Sequence, residues 1–252
     1  MDWQVSFRVF RYKQDGSPPH YDTFDLKVRP DEYVLDGVER IWAEHDRSLV
    51  FRHACHHAAC GACGLRVDGC ERLACITRID AVAQDGGTIT LDPLRNFTVL
   101  GDLLVDVAPF YARLEQARFV IVRQAEPLID LATGLPAPDA VPALRFENCL
   151  ECGLCVSACP VAGSDPDYLG PATLAAIQRM LAEPRCEVPA APLLALAGGE
   201  QGLWRCHTAF ECAEVCPSNV EPATLMMALR RRSLAVQIAR FFGQRSAHDE
   251  TR

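Results

Sequence analysis

The chain has 252 residues, 49% of them apolar, and a formal net charge of −8. This length suits one large domain or two of ordinary size, and the apolar content is enough to bury a core without cross-links. The acidic balance argues against nucleic-acid binding, because a phosphate backbone attracts basic surfaces. A protein partner or a cationic surface fits this charge better.

The first residues lack the apolar core of a secretory signal, and no stretch reaches the roughly 20 apolar residues of a membrane-spanning helix. We therefore expect the chain to stay on the cytosolic side of any membrane. Because that compartment is reducing and the 13 cysteines are odd in number, the pattern favours metal-binding thiolates over disulfides.

The first hundred residues predict a small sheet packed on one helix. Apolar and polar residues alternate at 5–9, and 21–28 follows the turn sequence DGSPP, so a hairpin is predicted there. A second hairpin is predicted over 65–74, and 88–91 as a last short strand. Between them we predict a helix with Asp31 as its N-cap. Its apolar face is predicted to consist of Val34, Leu35, Val38, Ile41 and Trp42.

The second half carries helical patterns instead. Helices are predicted over 171–183 and 222–242, each with proline in its first turn, and an irregular proline-rich connection over 127–143. The change of pattern coincides with a long segment without cysteine. The sequence therefore predicts an α+β protein of two domains, 1–106 and 107–252.

The first cysteine group has the spacing C-x4-C-x2-C-x11-C and consists of Cys55, Cys60, Cys63 and Cys75. This is the plant-type [2Fe–2S] pattern, in which a loop supplies three of four thiolates. Gly61 and Gly64 allow the backbone to approach the sulfurs. A zinc site stays open as an alternative, although His56 and His57 are adjacent and cannot both face one metal ion. We expect these histidines not to be cluster ligands.

The second group is the bacterial ferredoxin run C-x2-C-x2-C-x3-C-P and consists of Cys149, Cys152, Cys155 and Cys159. The third group repeats that run with Ala209 in place of its second cysteine, and consists of Cys206, Cys212 and Cys216. In two-cluster proteins the last cysteine of each run serves the other cluster. This exchange assigns Cys149, Cys152, Cys155 and Cys216 to a [4Fe–4S] cluster.

The remaining thiols, Cys159, Cys206 and Cys212, provide only three ligands. Because alanine cannot bind iron, the third site is predicted to hold [3Fe–4S]. A [4Fe–4S] cluster with one iron held by water or another side chain is the alternative. Cys70 and Cys186 are predicted to be ordinary thiols.

Nothing in the sequence indicates a second chemistry, since it contains no Gly-x-Gly-x-x-Gly, no Walker loop and no recognisable nucleophile with its base. We therefore predict no catalytic residue in this chain and expect it to carry electrons between other subunits.

A basic block is formed by Arg230, Arg231 and Arg232. It either contacts lipid head groups or a partner subunit or is a solvated helix end.

With these motifs, the sequence resembles the iron–sulfur subunit of succinate dehydrogenase and fumarate reductase (succinate:quinone oxidoreductase) over nearly its whole length. The resemblance lies in FRHACHHAACGAC, GCERLAC, DLLVD, NCLECGLCVSACP, YLGPA and RCHTAFECAEVCP. It implies an N-terminal plant-type ferredoxin (β-grasp) domain followed by an all-α domain like a bacterial ferredoxin.

The resemblance also implies partners and a path for the electrons, whereas the physiological direction does not follow from the sequence. Succinate would be oxidised at FAD on a flavoprotein subunit, and electrons would pass through [2Fe–2S], [4Fe–4S] and [3Fe–4S] to quinone at a membrane anchor, which in some members holds haem b. The subunit would be peripheral on the cytoplasmic face of the cell membrane. Pro160 and His207 match residues that lie near the quinone in the family, although His207 could equally be a structural histidine.

One departure from the family's sequence pattern bears on the type of quinone. Many ubiquinone-using members carry tryptophan a few residues after the proline, whereas this chain has CPVAGSDPDY, which favours menaquinone. The alternatives are a fumarate reductase subunit working in the reverse direction, including a soluble type, an iron–sulfur redox sensor, and a zinc-held scaffold. The soluble type usually continues into further cysteine-rich repeats, and the sensor would need a basic DNA-binding surface.

Overall fold

The structure is a computed structural model that describes residues 2–117, 148–183 and 188–249, with side chains described as far as residue 239. The connection predicted over 127–143 and the leftover Cys186 lie outside the described residues.

A five-stranded sheet forms the N-terminal half, with its strands in the order β2-β1-β5-β3-β4. The strands are β1 Trp3–Arg11, β2 His20–Val28, β3 Gly64–Val67, β4 Cys70–Leu73 and β5 Thr88–Asp92. β1 pairs antiparallel with β2 and parallel with β5, and β3 pairs antiparallel with β4 and β5. Both predicted hairpins are confirmed, because alternation and turn chemistry fix strand register locally.

The helix α1, Val34–Arg40, covers one face of this sheet and continues as a π-helical turn, Ile41–His45. Gly37 lies against the ring of Phe7 in β1, where an added Cβ would come within 2.4 Å of the ring. The helix and the sheet are therefore in the close contact that only glycine permits here.

Two details of the predicted helix are wrong. It begins at Val34 rather than after Asp31, because the Asp36 carboxylate accepts a hydrogen bond from the backbone N–H of Tyr33 at 2.9 Å and so defines the start. Trp42 is 39% exposed rather than part of the buried face. Its ring lies under the Arg47 guanidinium, 4.3 Å away, which gives the indole a cation–π partner at the surface.

Two short strands follow the predicted last strand. β6 Val99–Gly101 and β7 Leu104–Val105 form a two-stranded ribbon, and α2 Ala108–Gln116 follows them. The ribbon was not predicted, because two or three residues carry no alternation that could be recognised in the sequence.

The described part of the second half, 148–183 and 188–249, contains helices and no strand. The helices are α3 Leu154–Ser157, α4 Pro160–Ser164, α5 Gly170–Ala182, α6 Ala190–Gly198, α7 Glu211–Glu214 and α8 Pro222–Asp249. Both long predicted helices are confirmed, and α8 extends beyond the predicted end at 242. The α+β class is therefore confirmed, whereas the domain boundary between 106 and 107 stays a prediction.

The three shortest helices of this half position cysteines. α3 contains Cys155, α4 begins directly after Cys159, and α7 contains Cys212. α5 is buried almost throughout and packs along α8, so the two long helices form the support for these short ones.

Among the described helices, none combines the length and the apolar character needed to cross a bilayer.

Candidate metal centres

The first cysteine group lies in the loop between α1 and β3 and in the segment that follows β4. The structure brings its members together: Cys55 lies close enough to Cys60, and Cys63 close enough to Cys75 and Cys60, for their side chains to interact. The predicted set of four thiols therefore faces one centre.

Backbone N–H groups of the loop point at these sulfurs. The N–H of Ala58 donates to Cys75 Sγ at 3.4 Å, that of Ala59 to Cys55 Sγ at 3.2 Å, and that of Ala62 to Cys60 Sγ at 3.5 Å. Such donors stabilise the negative charge of thiolates and of a cluster that they bind.

Two thiols of this group differ in acidity. A hydrogen bond from the backbone of His57, together with one from Cys60, lowers the pKa of Cys55 to about 6. Burial raises the pKa of Cys63 to about 12. Cys55 therefore provides a thiolate readily at the exposed side of the loop, whereas Cys63 gives up its proton only to a strong positive charge.

The second predicted set lines a single cavity between α3 and the segment before α8. Its members are Cys149, Cys152, Cys155 and Cys216. Apolar side chains close the cavity, Phe110 and Leu154 among them. The backbone N–H of Val220 donates to Cys216 Sγ at 3.3 Å.

Burial is the main cause of the raised thiol pKa values in this cavity. It raises the pKa of Cys149 to about 12, that of Cys152 to about 11, and that of Cys155 well above its ordinary value. Apolar surroundings disfavour the charged form, so these thiols ionise together only when cations compensate them. Bound iron would supply that compensation, and a set of four convergent sulfurs fits an iron–sulfur cluster.

The third predicted set lines a neighbouring cavity, formed by α4, α7 and the segment 206–210. Its members are Cys159, Cys206 and Cys212. Burial raises the pKa of Cys159 and raises that of Cys212 to about 12. Ala209, at the position where the run lacks its cysteine, lines the same cavity.

Pro160 and His207 line this third cavity as well, so the structure brings both predicted quinone residues to the three-thiol site. Phe210, which lines the same cavity, is 44% exposed, and Trp204, nearby in the chain, is exposed to the same extent. The cavity therefore has an exposed aromatic ring in its lining.

Sequence reasoning missed two residues of this site. Tyr168 lies in YLGPA, and burial raises the pKa of its hydroxyl, which donates a hydrogen bond to Met226 Sδ at 3.8 Å and lies close to the Cys206 thiol. Arg230 belongs to the basic block, but its guanidinium donates to the backbone carbonyl oxygens of Leu203 and Cys206. Only the tertiary fold reveals this, because Arg230 lies 24 residues from Cys206.

The loops of the first and second sites are in direct contact. A Cβ added to Gly61, between the first group's cysteines, would lie 2.7 Å from the Cβ of Cys152. The second and third cavities adjoin as well, since Cys155 lies close enough to Cys212 for their charges to interact. The three cysteine sets therefore form a continuous series through the molecule.

Comparison with known proteins agrees with this arrangement. Residues 6–112 match a 2Fe-2S iron-sulfur cluster binding domain, and residues 145–220 match a 4Fe-4S dicluster domain. The fumarate reductase iron-sulfur subunit of Mycobacterium tuberculosis is 34% identical over 222 residues, which cover 87% of this chain and 89% of that protein. The mitochondrial succinate dehydrogenase [ubiquinone] iron-sulfur subunit 2 of rice is 30% identical over 89% of this chain and 73% of that protein.

A solved structure agrees at the level of the fold. One chain of the Mycobacterium smegmatis Sdh1 complex in the apo form superposes with a TM-score of 0.78 and 25% identity, covering 94% of this chain and 98% of that one. Together these likenesses account for both halves of the chain and for its cysteine-rich domains. The chain belongs to the family of iron–sulfur subunits of succinate dehydrogenase and fumarate reductase, which transfer electrons through iron–sulfur clusters.

Proposed function

We propose that this subunit conducts electrons between an FAD-carrying flavoprotein subunit and quinone at a membrane anchor, as part of a succinate:quinone oxidoreductase. The cysteine series carries the proposal, because three separate thiol sets adjoin one another and the last opens beside Pro160 and His207. Iron–sulfur clusters, when bound, supply single-electron oxidation and reduction.

The ligands of the proposed clusters follow the three sets. Cys55, Cys60, Cys63 and Cys75 hold [2Fe–2S], and Cys149, Cys152, Cys155 and Cys216 hold [4Fe–4S]. Cys159, Cys206 and Cys212 hold [3Fe–4S], with Ala209 in place of a fourth ligand. The arrangement of the third cavity supports this last assignment, since Ala209 lines it together with the three thiols.

The protein contributes burial and hydrogen bonds to these sites. Phe110, Leu154 and their neighbours exclude water from the second cavity, and Tyr168 closes part of the third. The N–H groups of Thr208 and Val220 donate to Cys206 and Cys216, at 3.4 and 3.3 Å. Solvent exposure and hydrogen bonds to sulfur are the main means by which a protein adjusts a cluster's reduction potential.

Quinone is proposed to bind beside the third cavity, in contact with Pro160 and His207. The exposed rings of Phe210, in the cavity lining, and of Trp204, nearby in the chain, support an anchor at this surface, because exposed large apolar side chains suit a membrane or protein contact. In this proposal the anchor, with haem b in some members, places the subunit on the cytoplasmic face of the cell membrane.

Menaquinone is the proposed electron acceptor, because the segment after Pro160 lacks tryptophan. Fumarate reduction by the same series of sites is the second candidate function. It is supported by the relative from M. tuberculosis, which is named a fumarate reductase subunit.

The test is low-temperature EPR of the complex purified without oxygen, recorded before and after dithionite. We expect a [3Fe–4S] signal in the oxidised sample and a [2Fe–2S] signal on reduction, together with a flavoprotein in the same preparation. Absence of the oxidised signal would contradict the three-iron assignment and the electron exit at the third cavity. Turnover with ubiquinone alone, and none with menaquinone, would refute the proposed acceptor.

A further inference from the structure

Three side chains outside the cysteine sets converge beside the first cluster loop. Glu39 lies in α1, and His53 and His56 lie on either side of Cys55. Glu39 Oε1 is 2.9 Å from His53 Nδ1 and 3.1 Å from His56 Nε2, and the two ring nitrogens are 3.3 Å apart. The three atoms therefore form a compact and nearly regular triangle.

The carboxylate oxygen of this triangle is left without a hydrogen bond. Glu39 Oε1 is buried, and among the described residues no group donates an aligned hydrogen bond to it, although both ring nitrogens lie at hydrogen-bond distance. A buried carboxylate oxygen without a donor carries a desolvation cost of roughly 1–3 kcal/mol or more. The two ring nitrogens are hydrogen-bonded to each other, so one imidazole donates to the other and neither directs an N–H at the Glu39 oxygen. Three ligand atoms this close together, with the carboxylate oxygen left over, can face a common cation.

The dimensions fit a tetrahedral zinc ion. Zinc binds histidine nitrogen at about 2.0–2.1 Å and carboxylate oxygen at about 2.0–2.2 Å, so two ligand atoms of a tetrahedron stand roughly 3.3 Å apart. The observed edges, from 2.9 to 3.3 Å, need only small side-chain adjustments to meet this value. Two imidazoles and one carboxylate also form a ligand set that zinc uses in sites with an open fourth position.

The surroundings hold the triangle while leaving it accessible. The ring of His53 is stacked on Phe51, with centroids 5.1 Å apart and planes 19° apart, which restricts its orientation. The side chains of His53 and His56 are 42% and 45% exposed, so an ion and a water ligand can enter from solvent.

We propose that Glu39, His53 and His56 form a binding site for one divalent transition metal ion of the zinc class, separate from the iron–sulfur sites. The ion joins α1 to the loop that carries Cys55. Because Glu39 belongs to a helix packed on the sheet, the bound ion anchors this exposed part of the loop to the rigid part of the domain.

The experiment uses the purified complex with its clusters intact, treated with a mild chelator and then dialysed against Zn²⁺. Metal content is measured for the wild type, Glu39→Gln and His56→Asn, with His57→Asn as the matched control in the same loop. Asparagine at position 56 tolerates the local backbone, whose φ is +60°. Iron content and the reduced [2Fe–2S] EPR signal, recorded in parallel, identify any variant that fails to fold.

We expect the wild type and His57→Asn to bind one zinc ion that the other two variants lose. Their affinity should fall by about tenfold or more, because even removal of a ligand's hydrogen-bond partner costs about tenfold to a hundredfold. Zinc-edge X-ray absorption should give nitrogen and oxygen neighbours at about 2.0 Å. Zinc retained by both variants, no zinc bound by the wild type, or sulfur neighbours at about 2.3 Å would each overturn the proposal.

Discussion

Gly61 lies directly against Cys152: a Cβ built on Gly61 would stand 2.7 Å from the Cβ of Cys152 and 2.8 Å from the carbonyl oxygen of Leu150. These residues belong to the loops of two different cysteine sets. The loops touch without space for a methyl group, so the separation of the first and second sites depends on the absence of a side chain at position 61.

Replacing Gly61 by alanine should therefore both strain the backbone, whose φ is +69°, and push the two loops apart. We expect a loss of stability of roughly 2–5 kcal/mol, the sum of a left-handed alanine and an overpacked contact. Denaturant unfolding of the complex and EPR of the reduced clusters measure the effect.

Gly16 provides a matched control for this substitution. It also has a positive φ, +87°, but an added Cβ would meet no atom within 4 Å. Gly16→Ala should show only the backbone cost, about 1–2 kcal/mol, with unchanged cluster spectra. Equal effects of the two substitutions would show that the contact with Cys152 is unimportant.

Asn96 connects the N-terminal half to the segment between the second and third cysteine sets. Its side-chain amide donates to the backbone carbonyl oxygens of Val156, Ser157 and Cys159 at 2.8, 3.0 and 2.9 Å. Because one amide binds three carbonyl oxygens, it fixes the backbone conformation between Cys155 and Cys159. These two cysteines line different cavities.

Removing this amide should destabilise the protein and disturb the cluster held by Cys159. Asn96 has φ +64°, so Asn96→Gly keeps the backbone conformation while Asn96→Ala also strains it. Both variants should lose roughly 1–3 kcal/mol from the unsatisfied carbonyls and show altered line shapes in the oxidised EPR signal. A normal Asn96→Gly beside a defective Asn96→Ala would mean that only the backbone matters at this position.

These contacts show which parts of the molecule the sequence could predict. Cysteine spacing identified the three thiol sets, because a cluster imposes a local order of ligands that survives any packing. Asn96, Arg230 and the contact of Gly61 with Cys152 depend on residues far apart in the chain, and nothing near them in the sequence indicates their partners. The prediction for Trp42 was wrong because it used local periodicity alone. Its helical position suggested burial, but its ring lies at the surface against the Arg47 guanidinium.

The buried ion pair between Arg11 and Asp102 provides another prediction. Asp102 is 1% exposed, and its carboxylate accepts from Arg11 Nε at 3.2 Å and from the N–H groups of Tyr12 and Val50. Asp102→Asn leaves the buried guanidinium partly uncompensated and should lower the free energy of unfolding by about 3–5 kcal/mol.

Asp31→Asn provides the control. This exposed carboxylate is paired with Arg29, and its replacement should change the free energy of unfolding by less than about 1 kcal/mol. Similar losses in both variants would contradict a special role for Asp102.

The ion pair of Arg11 with Asp46 should also make the free energy of unfolding depend on pH in the acid range. The hydrogen bond from Arg11, followed by those from Ser48, lowers the pKa of Asp46 to about 2. Because the folded pKa lies below the ordinary value of 3.8, the contribution of Asp46 is fully present above about pH 4 and is lost as the pH falls towards 2. The difference in denaturant midpoint between the wild type and Asp46→Asn should be constant from pH 7 to pH 5 and then shrink. Loss of clusters in acid affects both chains, so a difference that grows below pH 4 would contradict the assignment.

Ala209 gives the sharpest test of the third site. It lines the cavity that also contains Cys159, Cys206 and Cys212, and it occupies the sequence position at which the third cysteine group lacks the second cysteine of the ferredoxin run. Ala209→Cys should convert the proposed three-iron cluster into [4Fe–4S], because four thiolates can hold the corner iron that three leave out. The oxidised sample should then lose its [3Fe–4S] signal, the reduced sample should gain a further [4Fe–4S] signal, and iron content should rise by one atom per chain.

A cysteine added elsewhere controls for the extra thiol itself. Ala195 in α6 is exposed and lies outside the cavities that contain the cysteine sets. Ala195→Cys should therefore leave iron content and both EPR signals unchanged. If Ala209→Cys keeps the wild-type three-iron signal, residue 209 does not stand at the missing corner. If the wild type already lacks that signal, the third site is either empty or holds a four-iron cluster with a ligand that is not cysteine, and the iron content distinguishes the two.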